Sequence, residues 1–163
     1  MRKLVIIAIV VLASSTAVER SARADVGIGA FFGEPTGLDV KLGLDRRSSL
    51  DIVVGWYSDW RHDGFNDGAY GHVTYLLTPM VGHGQSVNVP LRIGIGGAIY
   101  DQGGHFNDDL NLGVRFPFEV GLAFRRTPLE IYFEVALKVT VLDDNDNHPN
   151  VDLDGGIGIR FYF

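Results

Sequence analysis

The chain contains no cysteine, so a disulfide framework, a thiolate metal site and lipoprotein processing at a cysteine are all closed to it. Basic residues are scarce, with 14 Lys+Arg against 20 Asp+Glu and a net charge of −6. That balance disfavours a nucleic-acid partner, which calls for a basic surface. Long hydrophobic runs are also missing. The longest is the ten residues Leu4–Ala13, and a helix that crosses a bilayer needs about 20. With 163 residues the chain has room for one domain, and its turn signals and 46% hydrophobic content argue against a disordered polymer.

The first 24 residues differ from the rest. Arg2 and Lys3 precede the apolar run, and a polar stretch follows that ends in Ala22-Arg23-Ala24. This is the pattern of a cleaved secretory signal, with Asp25 as the first mature residue and 25–163 as one domain. Cleavage removes Arg2, Lys3, Arg20, Arg23 and Glu19, leaving 10 basic and 19 acidic residues and a net charge of −9. A mature chain of this kind that lives in a membrane must cross it as strands.

Periodicity after Asp25 is two rather than 3.6. Leu38, Val40, Leu42 and Leu44 alternate with Gly37, Asp39, Lys41 and Gly43. Ser49 to Tyr57, Leu110 to Arg125, Leu129 to Val141 and Asp152 to Phe163 repeat the rhythm, as do Val26 to Gly33 and Val89 to Tyr100. Ala69 to Leu77 alternates more weakly. Eight sequential strands predict an all-β, antiparallel, up-and-down barrel. The links sort into two ends. Asp45–Ser48, Thr78–Asn88 and Arg125–Pro128 fall at one, and two of these three are tight turns. Gly33–Thr36, Ser58–Gly68, Asp101–Asp109 and Asp143–Asn150 fall at the other, where three of the four are long and polar. Short turns at one end and long loops at the other fit a transmembrane barrel of the bacterial outer membrane. Pro117 falls mid-strand and predicts a bulge or break there.

Alternation does not by itself say which face is inside. A soluble lipocalin-like carrier would turn the apolar face inward around an apolar ligand. Two features favour the reverse. The polar face is rich in glycine, including Gly27, Gly29, Gly94, Gly96, Gly113, Gly121, Gly156 and Gly158, as a narrow eight-stranded interior requires. The apolar face is bulky on most strands, as a lipid-facing surface is. The inward charges then predict a salt-bridged lumen with no wide pore. It sets Asp39, Asp51, Glu119, Glu130, Glu134 and Asp154 against Lys41, Arg92, Arg115, Lys138 and Arg160, because buried charges must be paired.

The segments Gly33–Asp45 (GEPTGLDVKLGLD), Val89–Ile99 (VPLRIGIGGAI), Leu112–Val135 (LGVRFPFEVGLAFRRTPLEIYFEV) and Asp152–Phe163 (DLDGGIGIRFYF) resemble a family of small outer-membrane β-barrel proteins. Size and topology are similar to the eight-stranded OmpA and OmpX type. The resemblance implies an outer-membrane location, contact with outer-membrane lipid, and recognition of the C-terminal strand, through Phe161, Tyr162 and Phe163, by the barrel-assembly machinery. It implies no activity, cofactor or catalytic residue.

The remaining motifs point to little chemistry. Gly94-Ile95-Gly96-Gly97 has no helix after it and so lacks the strand-to-helix turn of a dinucleotide site. Asp143, Asp144, Asp146, Asp152 and Asp154 form an acidic cluster without EF-hand spacing. His62, His72, His83, His105 and His148 are scattered and make no helical metal pair. Some small outer-membrane barrels modify lipid A, and such a hydrolase needs a nucleophile beside a base. Ser48, Ser49, Ser58 and Ser86 have no strand-spaced histidine. His72 and Thr74, two apart on one face, come nearest. The expectation is therefore a non-enzymatic barrel with a structural or surface-interaction role, whose loop partner the residues do not name.

Overall fold

A computed structural model describes residues 26–57, 68–101, 110–142 and 151–163. They form eight strands: β1 (Val26–Glu34), β2 (Thr36–Gly43), β3 (Ser48–Tyr57), β4 (Gly68–His83), β5 (Val87–Asp101), β6 (Leu110–Phe124), β7 (Leu129–Leu142) and β8 (Val151–Tyr162). Each pairs antiparallel with its sequence neighbour, and β1 pairs with β8, with Gly29 opposite Arg160, to close the barrel. The leader 1–24, the three long links with His62, His105 and His148, and Asp143, Asp144 and Asp146 of the acidic cluster lie outside the described residues.

The pleat decides which side chains go where. Away from the strand ends, outward positions carry Leu, Ile, Val, Phe, Met, Tyr and Trp together with small residues, and no Asp, Glu, Lys or Arg. Leu38, Val54, Ile95, Phe118, Phe133 and Ile157 are all exposed. Inward positions carry the charges, Tyr70, Tyr100, Tyr132 and Tyr162, and most of the glycines. The apolar side chains are therefore outside, the reverse of a carrier with an apolar cavity.

One expectation about the backbone is corrected, and another holds in part. Residues Thr78–Asn88 are not a loop. β4 continues to His83 and β5 begins at Val87, and the Gly84 N–H donates to the Val87 carbonyl at 2.8 Å across a tight turn. The register shifts between Leu77 and Met80. A bulge there, at Pro79, changes the phase of the alternation, so a period-two pattern stops at Leu77 although the strand does not. All three links at this end are consequently tight. Pro117 makes no bulge, and the break expected there is confined to one of its two seams. β6 keeps one register with β7 on both sides of it, and Pro117 pairs with Ala136. Its missing N–H falls at the β5–β6 seam, where pairing lapses between Ile93–Phe118 and Gly96–Arg115 and resumes in the same register. Pro90 does the same from β5, between the pairs Asn88–Ala123 and Leu91–Val120. By that register Pro117 stands opposite Gly94, and Pro90 opposite Gly121.

Glycine also makes room for the larger inward groups. A Cβ on Gly158 would collide with the ring of Tyr132 on the neighbouring strand. Gly97 points outward, and a Cβ there meets nothing within 4 Å. Gly158→Val is expected to lower unfolding free energy by about 1–3 kcal/mol through overpacking. Gly97→Val, at an open and β-favouring position, should leave it unchanged or raise it slightly. Urea midpoints of the two variants, measured under the same conditions, check the contrast.

Candidate functional site: the charged lumen

All eleven charged residues singled out by strand parity point into the barrel, and none is more than 8% exposed. They form connected groups along the axis. At the centre, Arg160 on β8 donates from Nε to Asp39 (2.5 Å), from Nη2 to Asp51 (2.7 Å) and from Nη1 to Glu119 (3.0 Å). Its guanidinium carbon stacks 3.7 Å from the centre of the Tyr132 ring, and the Tyr132 hydroxyl donates to the same Asp39 oxygen at 2.6 Å. One arginine thus draws in carboxylates from β2, β3 and β6 and an aromatic from β7.

Beside it, Arg115 donates to Glu134 from Nη2 (2.6 Å) and from Nη1 to His72 Nε2 (2.6 Å) and Thr74 (3.4 Å). An arginine N–H can only donate, so His72 Nε2 is an acceptor here. His72 and Thr74, the nearest approach to a base and a nucleophile, are thereby held by one guanidinium group. Toward the long-loop end, Lys138 donates to Asp154 at 2.9 Å, lies 3.9 Å from Asp152 and sits 4.5 Å from the centre of the Tyr100 ring. The two members of the acidic cluster that are described, Asp152 and Asp154, thus both lie beside this lysine. Tyr100 is stacked on Tyr70 with ring centres 6.0 Å apart, and Tyr70 donates to Asp154. Toward the turn end, Arg92 bridges Glu119 and Glu130, and Tyr162 donates to Glu130. Lys41 lies 3.7 Å from Glu119.

Asp51, Glu119 and Glu134 each place a carboxylate oxygen within 4.8 Å of the others, the arrangement among the described residues closest to a cation cage. Arg160 and Arg115 already supply positive charge to all three. The set is better matched to guanidinium than to a metal, since every one of its carboxylates carries a hydrogen bond from an arginine.

At the turn end, Asp45 Oδ1 accepts from the N–H groups of Arg47 (2.7 Å) and Ser48 (2.9 Å). Hydrogen bonds from the Ser48 hydroxyl and then the Arg47 backbone hold its carboxyl below the ordinary aspartate range. At the C-terminus, Phe161 and Phe163 face outward, the latter 82% exposed, while Tyr162 turns inward.

Strand parity did not bring His72, Thr74, Tyr70 and Tyr100 into the charge network. Their strands held the signal: the first three sit at inward positions of β4, the segment with the weakest alternation, and Tyr100 shares a face with Arg92. Compared with protein-family models, curated proteins and solved structures, the chain matches none of them.

Because Arg160 neutralises three buried carboxylates at once, Arg160→Met is expected to cost about 3–5 kcal/mol, the penalty for orphaning buried charge. Glu134→Gln keeps an acceptor for Arg115 and should cost less, about 1–3 kcal/mol. Urea titration of the folded barrel reads both, and an unchanged midpoint for Glu134→Gln would count against a tightly packed network.

Proposed function

We propose that this chain is an outer-membrane β-barrel protein with a plugged, ion-paired lumen, acting structurally or as a surface-interaction module through its three long links. The observation that carries the proposal is the inversion of the barrel: apolar side chains surround it on every side and charges fill it. A soluble domain rarely exposes so large a continuous apolar surface, whereas a bilayer calls for such a band with alternating polar positions inside. Aromatic residues also stand near both rims, Phe32 and Trp56 toward the long links and Phe124, Phe161 and Phe163 toward the turns, as in the girdles of membrane barrels. β4 to β8 have 12 to 16 residues, ample for a tilted crossing that needs about 9–11.

Transport in bulk is disfavoured because eight strands leave an interior that side chains fill. The tyrosine and ion-pair layers occupy it here. An apolar-ligand carrier is the poorer reading, since its cavity would need the face that this barrel turns outward. The C-terminal Phe161 and Phe163 are proposed as the surface read by the assembly machinery.

Expression of the full-length chain in a Gram-negative host, followed by separation of the membranes from soluble periplasm, tests the location. Recovery in the outer membrane, with a gel band that shifts on boiling, is the expected result, and recovery in the soluble periplasm would overturn it. A second measurement concerns the outer face alone. Phe133→Arg, at an exposed mid-strand position, should lower stability in lipid vesicles by about 2–4 kcal/mol if Phe133 meets hydrocarbon near the midplane. On a water-facing surface the same change would stay within about 0.5 kcal/mol.

A further inference from the structure

We propose that the turn-end mouth of the lumen is a binding site for a phosphate group. A cavity of about 280 Å³ opens there between the β2–β3 turn and the inner wall, lined by Lys41, Arg46, Arg47, Ser48, Ser49 and Arg92, with the acids Asp45 and Glu130 also on its wall.

Three polar atoms of this wall are buried without a hydrogen-bond partner among the described residues: the Lys41 ammonium, on a residue 4% exposed, the Ser49 hydroxyl, on one 5% exposed, and Glu130 Oε1, which faces Arg92 as an ion pair. Glu119 is the only described carboxylate within ion-pair distance of Lys41, at 3.7 Å and beyond hydrogen-bonding distance, and its oxygens already accept from Arg92 and Arg160. A buried ammonium whose donors are unmet is costly unless an acceptor arrives. The cavity is where one can arrive.

The rest of the lining sets the sign and shape of that acceptor. Arg92 and Glu130 cancel each other in a 2.7 Å ion pair. What remains on the wall is Arg46 and Arg47, with Lys41 facing Glu119 at 3.7 Å, against Asp45, whose side chain accepts from the backbone of the turn. Those two bonds fix the loop that carries both arginines, and no described carboxylate lies within ion-pair distance of either guanidinium. An ammonium point charge, two guanidinium forks and a hydroxyl donor suit a tetrahedral oxyanion with several acceptor oxygens better than a planar carboxylate with two. Inorganic phosphate and a phospholipid headgroup share this chemistry. The mouth lies at the barrel rim, within reach of either.

The site does not depend on which membrane holds the barrel, so it is tested on the folded full chain in maltoside detergent, which carries no phosphate. Calorimetry at low ionic strength with inorganic phosphate forms one arm, and with dihexanoyl phosphatidylglycerol the other. Saturable one-to-one binding in either arm supports the site. Phosphate alone binding assigns a free anion, lipid alone assigns a headgroup, and mutual competition assigns one site open to both. Arg46→Gln/Arg47→Gln is expected to weaken binding at least tenfold, and Lys41→Met to abolish it with the boil-shift retained. The double variant changes only the exposed turn and decides the matter should Lys41→Met fail to fold. Absence of binding in both arms, or affinity unchanged in the double variant, would overturn the proposal and leave water as the occupant of the mouth.

Discussion

Arg160 has no water to turn to. It is fully buried in a barrel of eight strands, and moving its charge out of solvent costs several kcal/mol that only close, well-aligned carboxylates offset. Asp39, Asp51 and Glu119 meet that demand from three different strands, and Tyr132 covers the guanidinium face from a fourth. Most other inward groups are placed relative to this centre. Glu119 is shared with Arg92, Arg92 with Glu130, and Glu130 with Tyr162, so the ion pairs run from the middle of the barrel to its turn end. Gly158 lies beneath Tyr132 because no larger residue leaves space for the ring on which Arg160 rests.

Much of this is legible in the residues because a strand has only two faces. Once Leu129, Ile131 and Phe133 are outside, Glu130, Tyr132 and Glu134 must be inside, and the same parity on seven segments yields the strand count, the closed order and the eleven inward charges. What parity cannot supply is depth around the ring. Pairing Arg160 with Asp51, 109 residues away, depends on the stagger of strands that are not neighbours, and no local pattern encodes that. Bulges are a second blind spot. The phase change at Pro79 hid the last third of β4, and so a tight turn looked like a loop of eleven residues. Pro117 is legible as a break, but the residue alone does not say on which side. Its lost N–H interrupts the ladder at the β5–β6 seam, while pairing with β7 continues through Ala136.

The sequence separates charge between its short turns and its long links. Arg46, Arg47, Arg125 and Arg126 sit in the short turns, while the long links are rich in aspartate, with Asp143, Asp144 and Asp146 in the last. This separation is not needed for folding, since exposed turn charges contribute little to stability. It leaves the turn end, beside the mouth at Lys41, with four exposed arginines.

In a barrel whose apolar side faces hydrocarbon, as proposed here, the interior cannot be specified by hydrophobicity, because lipid tails are as apolar as leucine. Ions can specify it. A slip of one residue at any seam exchanges the two faces of a strand. On β8 it would carry Asp154 and Arg160 into lipid and bring Leu153, Ile157 and Ile159 against the charged core. Charged groups facing lipid near the midplane are costly, arginine and lysine at about 2–4 kcal/mol each and carboxylates somewhat less, and the partners left behind would add their own penalty. An apolar lumen of equal volume could be as stable in the correct register, yet it would penalise the wrong one far less. In that setting the buried charges would discriminate between registers. Their distribution over β2, β3, β5, β6, β7 and β8, rather than on one pair of strands, would give each of those six strands its own cost of slipping.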